Sequence, residues 1–214
     1  MTTTIASLLK QTSLDDHEET LRVADKTLTQ DKDNLTAVHV KVVALLKLDR
    51  FQDALQVFES AGSGLKSQAT LEWAYTLYKN GRLEEAEQVA AKEQTRRSLK
   101  HVQAQALYRA EKFDHVGDIY DTLSKTRSSD ESSDLRINSS ANDAQLGWAG
   151  QGHLARKAKP DREDMEHFET AFNAACGYIS RGELRQAELL LNRARGQYRW
   201  RNINWILVTW HRSL

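Results

Sequence analysis

Proline and cysteine each occur once in this 214-residue chain, as Pro160 and Cys176, and glycine only 10 times. So few helix breakers, beside abundant Leu, Ala, Glu, Lys and Gln, predict long helices with brief connections, an all-α fold. A lone cysteine closes no intramolecular disulfide, which argues against a disulfide-stapled secreted scaffold and for a reducing, cytoplasmic setting. Charge of neither sign is in excess. Lys and Arg number 30 and Asp and Glu 30, so no global field favours nucleic acid or an anionic membrane. No run approaches the roughly 18 apolar residues of a membrane span. The stretch from Met1 to Ile5 lacks the basic flank and apolar run of a signal peptide.

What is present is helical periodicity. Leu71, Ala74, Tyr75, Leu77 and Tyr78 recur at helical spacing, Asn80-Gly81 interrupts, and Leu83, Ala86, Val89 and Ala90 resume the pattern. Asn-Gly also serves β-hairpins, but a flanking period near 3.6 residues predicts a helix, a tight turn and a second helix. A pair this short cannot bury its apolar faces alone, so further pairs are expected. An aromatic or Leu followed three positions later by a small residue recurs as Phe51 with Ala54, Leu83 with Ala86, Phe113 with Val116, and Leu184 with Ala187. The first three crossing residues stand 32 and 30 apart (86−54 and 116−86). Counting about 34 back from Ala54 reaches Thr20, in the helical run Asp15 to Leu28. The last interval, 71 (187−116), holds a degenerate unit or an insertion.

The expected units are roughly 2–30, 35–64, 68–95, 98–125 and 168–196. Ser128 to Asp134 is polar and acidic and reads as a mobile loop, with a phosphorylation-regulated contact as the minority reading. Leu135 to Trp148 regains a helical pattern, as the remnant of a repeat would. Gly150 to Asp161 reads as a second exposed loop. In the tail, Trp200, Trp205 and Trp210 fall at intervals of five, which neither a helix face nor a strand explains. A cap on the last repeat and a surface for self-association both stay open.

Catalytic and metal motifs are incomplete. His17-Glu18-Glu19 starts like a zinc-protease helix, but the second histidine position is Leu21. The histidines at 39, 101, 115, 153, 167 and 211 have no metal-ligand spacing with one another or with Cys176. Cys176 lies in the apolar run Ala171–Cys176, where a thiol behaves as a small hydrophobe. Gly150-Gln151-Gly152 follows no strand, so it is no phosphate loop, and Asn138-Ser139-Ser140 is a sequon only in a secreted chain. No enzyme, cofactor or metal is expected.

In unit length and pattern the chain resembles the tetratricopeptide repeat family. Gly81 and Gly182 stand at the family's turn glycine, Ala54, Ala86 and Ala187 at its crossing position, and Ala74, Ala104 and Ala175 at its small first-helix position. The closing proline and the tryptophan are absent, and Trp73 falls three positions late. The resemblance implies a helical-hairpin solenoid over residues 1–196 with one interrupted central repeat, loops at about 126–134 and 149–163, and a tail or cap over 197–214. It also implies a groove lined by the first helices: His39, Val43, Leu46 and Lys47; Leu71, Tyr75, Tyr78 and Lys79; His101, Gln105, Tyr108 and Arg109; Phe172, Cys176 and Ile179. The asparagine position of the family's carboxylate clamp holds Val43, Tyr75 and Gln105, so that clamp is missing. An apolar, aromatic trough suits an extended or helical segment of a protein partner.

Thr36-Ala37-Val38-His39, Lys41-Val42-Val43, Gln105 to Arg109, Phe113-Asp114, Asn173 to Cys176, and Ile137 to Ala141 with Trp148 narrow the match. Over about residues 15–196 they resemble the tetratricopeptide region of the seventy-two-kilodalton subunit family of the eukaryotic signal recognition particle. That resemblance implies a non-catalytic scaffold in protein targeting to the endoplasmic reticulum, with the carboxy-terminal region of the sixty-eight-kilodalton subunit as partner. Particle RNA would be reached only indirectly, because the family's basic RNA-binding segment has no counterpart here. The alternative is a generic tetratricopeptide adaptor or co-chaperone. A third reading, an RNA-binding helical repeat, would rest on Lys92, Arg96, Arg97 and Lys100 beside His101, a cluster more typical of a solvated face.

Overall fold

The computed structural model describes residues 16–93, 95–125, 131–156 and 168–198. Among them are ten helices and no strand: α1 (His17–Gln30), α2 (Leu35–Lys47), α3 (Phe51–Gln68), α4 (Thr70–Lys79), α5 (Leu83–Ala90), α6 (Arg97–Arg109), α7 (Phe113–Lys125), α8 (Ser132–Trp148), α9 (Phe168–Ser180) and α10 (Leu184–Tyr198). The fold is an all-α helical repeat. It divides into two compact units, Met1–Ala106 and Leu107–Leu214, with the boundary inside α6.

Local chemistry sets the helix starts. Asp16 caps α1 by accepting from the Glu19 N–H at 2.9 Å, and Asn34 caps α2 by accepting from the Ala37 N–H at 3.0 Å. Glu18 and Glu19 complement the positive amino end of α1, and Lys47, Lys79 and Arg109 the negative ends of α2, α4 and α6.

Five first helices end in the same turn. The N–H of Arg50, Arg82, Lys112, Gln151 and Glu183 donates to the carbonyl of Leu45, Leu77, Leu107, Leu146 and Tyr178 at 2.8–3.0 Å, closing a Schellman motif around a residue of positive φ. Those residues are Asp49, Gly81, Glu111, Gly150 and Gly182. Their separations are 32, 30, 39 and 32 residues (81−49, 111−81, 150−111, 182−150), a ruler for the repeat. Asp49 and Glu111 do without the glycine that carried the expected motif.

The 39-residue interval is the interruption. Its first helix, α8, is complete, but the described residues that follow Gly150, 151–156, form short turns rather than a helix start, with Leu154 donating to Gln151 and Ala155 to Gly152. Ala155 holds the register of Ala54, Ala86, Val116 and Ala187, five residues beyond the turn. Asp143 occupies the place where the other first helices bury Val42, Ala74, Ala104 and Ala175. A carboxylate cannot enter that dry crossing. Arg156 folds back and pairs with it instead, with Nη2–Oδ2 2.8 Å and Nε–Oδ2 3.1 Å.

Several boundaries are corrected. Ser132, Ser133 and Asp134 are the first turn of α8 rather than loop, because a helix start tolerates polar residues. Unit 35–64 runs on to Gln68, since α3 breaks at Gly62 (φ 74°, ψ −157°) and resumes to bury Leu65. The last helix reaches Tyr198, past the expected limit at 196. Residues 1–15, Ser128 to Asp130, Lys157 to Asp161, and Trp200, Trp205 and Trp210 lie outside the described residues.

Small residues set the helix spacing. Ala37, Ala54, Ala74, Ala86, Ala104, Ala106, Ala171 and Ala175 are fully buried. In the first unit Val42, Phe58, Leu65, Trp73 and Leu77 fill one core, with Trp73 tilted on Phe58 at 5.0 Å.

Candidate functional site: the first-helix faces

In the first unit the expected groove residues are His39, Val43 and Leu46 on α2, Leu71, Tyr75 and Tyr78 on α4, and His101 and Gln105 on α6. All are half-buried: neither sealed in the core nor free in water. Leu71, Tyr75 and Tyr78 pack their inner edges on a core of Ala74, Ala90, Leu99 and Val102, and Leu46 and Tyr78 border the Phe58 core.

The rings form one cluster. Tyr75 and Tyr78 lie 6.1 Å apart, and Phe51, first residue of α3, meets Tyr75 edge-on at 6.4 Å. Lys79 places its ammonium 4.4 Å from the Phe51 ring centre and 5.9 Å from that of Tyr75. Burial, then the neighbouring Tyr78 and Asp49, pushes the Tyr75 hydroxyl above its usual range, so it stays a neutral donor. Phe51 was legible only as a repeat marker, because what makes it part of the site is an approach between two hairpins.

A polar pair links α2 to α4. His39 Nε2 lies 3.4 Å from Glu72 Oε1, with side chains 17% and 23% exposed. The imidazole holds the Glu72 carboxyl below its ordinary range, against burial, with help from a hydrogen bond to its own backbone N–H and, least, from Arg96. Glu72 is the residue the sequence reading missed. Arg96 also pairs with Glu93 at 3.9 Å, so part of the basic cluster at 92–100 is locally balanced.

In the second unit Tyr108, Phe172 and Ile179 are half-buried and Arg109 is exposed. Tyr108 packs edge-on against Phe113 at 5.4 Å, its hydroxyl pushed up by burial and eased back by a hydrogen bond with Gln145. Phe172 stacks on Phe168 at 5.8 Å. Burial raises the Cys176 thiol, which keeps it protonated and unreactive. Among the described residues no cluster of His, Cys, Asp and Glu is arranged to hold a metal ion, and no helix is long and apolar enough to cross a membrane.

Comparison with known proteins gives the same outline. The signal recognition particle subunit SRP72 of Canis lupus familiaris is 31% identical over 184 residues, and its Homo sapiens counterpart 30%; each alignment covers 84% of this chain. The Dictyostelium discoideum counterpart is 25% identical over 179 residues, 83% of this chain. The chain spans about a quarter of the length of these relatives, with 26% of each aligned. A family model described as a TPR-like repeat, SRP_TPR_like, matches residues 13–145. That match takes in more than half of the sequence and three of the five turns of the repeat, and the chain belongs to this TPR-like repeat family of the signal recognition particle.

Proposed function

We propose that this chain is a non-catalytic, cytoplasmic scaffold module of the signal recognition particle, serving protein targeting to the endoplasmic reticulum by gripping the carboxy-terminal region of the sixty-eight-kilodalton subunit. The observation that carries the reading is the half-buried cluster of Tyr75, Tyr78 and Phe51 on the first-helix face. Rings seated on a core but open on one side offer apolar area at little entropic cost, with hydroxyls for a partner's backbone. The similarity to SRP72 subunits supplies the assembly in which such a grip would operate. A generic co-chaperone role is less favoured, because Val43, Tyr75 and Gln105 replace the clamp asparagines.

The test is calorimetric titration of that partner region into the wild type and into a Tyr75→Ala, Tyr78→Ala variant. Affinity is expected to fall at least about tenfold while helicity and melting are retained, as loss of aromatic anchors does elsewhere. Unchanged affinity in a folded variant defeats the proposal.

A further inference from the structure

Several cations described in the first unit are matched to carboxylates. Lys41 pairs with Asp25 at 2.7 Å, Arg50 with Asp53 at 2.6 Å, and Arg82 with both Glu59 and Glu85. Lys79 is different. It is half-buried, its ammonium stands over the rings of Phe51 and Tyr75, and no carboxylate among the described residues pairs with it. Acidic groups of these elements are otherwise placed: Glu72 is engaged by His39, Asp53 by Arg50, and Asp49 stands exposed in the turn, where its charge bears on the Tyr75 hydroxyl.

Ring faces hold an ammonium in position without using its hydrogen-bond donors. A half-buried lysine whose ammonium is held over two rings has also already given up much of the rotamer freedom that a flexible surface lysine would lose on binding. The result is a preset positive charge at the edge of an aromatic platform.

We infer that Lys79 is the receptor for a side-chain carboxylate of the partner segment, so the first-helix face of this unit selects an acidic residue set beside a large apolar one. The apolar side chain lies on Tyr75 and Tyr78 and the carboxylate reaches Lys79 from the solvent side. This rests on the proposed function and adds the chemistry of the occupant. Selection by charge at this point also differs from capture of a chain terminus, which needs a terminal carboxylate and the asparagine pair that Val43 and Tyr75 replace.

The experiment titrates the carboxy-terminal region of the sixty-eight-kilodalton subunit into wild type, Lys79→Met, Lys79→Arg and the Tyr75→Ala, Tyr78→Ala variant, at low and high salt. Thermal melting checks each fold. Met keeps the apolar stem against the rings and removes the charge. Lys79→Met is expected to weaken binding about tenfold and flatten its salt dependence, as loss of one charge-assisted hydrogen bond does, while Lys79→Arg retains most of the affinity. A partner region with Asp and Glu changed to Asn and Gln should bind wild type as weakly as the unaltered region binds Lys79→Met. One whose terminus is amidated should bind wild type normally. If Lys79→Met binds like wild type while the tyrosine variant does not, this inference falls and the proposed function stands. If only terminal amidation weakens binding, the side-chain carboxylate is refuted. If wild type does not bind, the proposed function falls, and this inference with it.

Discussion

The side-chain amide of Asn142 donates to the carbonyl of Phe113 across 3.0 Å, 29 residues earlier in the chain. Asn80 makes the same bond to Phe51 at 2.9 Å, also 29 residues back. In each case an amide on a first helix, or at its end, reaches the opening residue of the preceding hairpin's second helix. The bond holds consecutive hairpins in register, and it survives in the interrupted repeat, where residues 151–156 form turns instead of opening a second helix. Asn80 and Asn142 do not share a place relative to their turns, Gly81 and Gly150, so the interruption keeps the bond and shifts the turn. α8 runs on where α4 stops.

Asn142 is 1% exposed and its Oδ1 has no hydrogen-bond partner, so its net worth rests on the one bond it donates and on its packing. Asn142→Ala is expected to lower stability by about 1–3 kcal/mol, with the cavity adding to the lost bond. Asn80→Ala, at a half-buried site, is expected to cost less. Urea midpoints of the two variants, compared at equal m-value, check the order.

The repeat was legible because its signals are local. Helix period, Asn80-Gly81 and the spacing of Ala54, Ala86 and Val116 all lie within a few residues of what they specify. The fourth turn was hidden for a local reason too: Gly150 is followed by Gly152 and by too few apolar residues for a second helix, so the whole stretch reads as loop. Polar Ser132 to Asp134 misled in the opposite direction. Of the candidate site, the tyrosines could be placed from the register alone. The seating of Lys79 on Phe51 and the His39–Glu72 pair join residues 28 and 33 apart in the chain, and only the packing of hairpins reveals them.

Two turns carry a side chain where three carry glycine, which makes them testable. Glu111 has φ 59° and Asp49 φ 56°. A glutamate in the left-handed region is strained by about 1–2 kcal/mol, whereas aspartate tolerates it through local hydrogen bonding. Glu111→Gly should raise stability by about 0.5–1 kcal/mol after the added freedom of the unfolded chain is deducted. Asp49→Gly should be near neutral, and Gly81→Ala should lose about 1 kcal/mol. Denaturant midpoints of the three variants decide it.

The His39–Glu72 pair predicts an acid-side dependence. The folded state holds the Glu72 carboxyl below its ordinary range, so the folded protein binds that proton less readily than the unfolded chain. The stabilisation is complete above the ordinary glutamate value of about 4.3 and is lost as pH falls through the lower folded value. Melting temperature should therefore drop more steeply on acidification in wild type than in Glu72→Gln. In a His39→Gln background, Glu72→Gln should change that slope much less, because only the hydrogen bond from its own backbone N–H and the charge of Arg96 remain to depress the carboxyl. Equal slopes in wild type and Glu72→Gln would refute the assignment.

Packing of α8 on α9 predicts the sharpest steric effect. A Cβ placed on Gly147 would fall onto the Ser180 hydroxyl and lie 2.9 Å from its Cβ. Ser180 cannot turn away freely, because its hydroxyl donates to the Gly177 carbonyl at 2.8 Å. Gly147→Ala must then push two packed helices apart, and a loss of about 1–3 kcal/mol is expected despite alanine's better helix propensity. Ser180→Gly removes both clashing atoms. In the double variant the alanine should cost far less than it does alone, giving a coupling of about 1 kcal/mol or more between the two sites. Urea unfolding of the wild type, both single variants and the double variant measures that coupling. Additive losses would mean that the approach of α8 to α9 is looser than these atoms require.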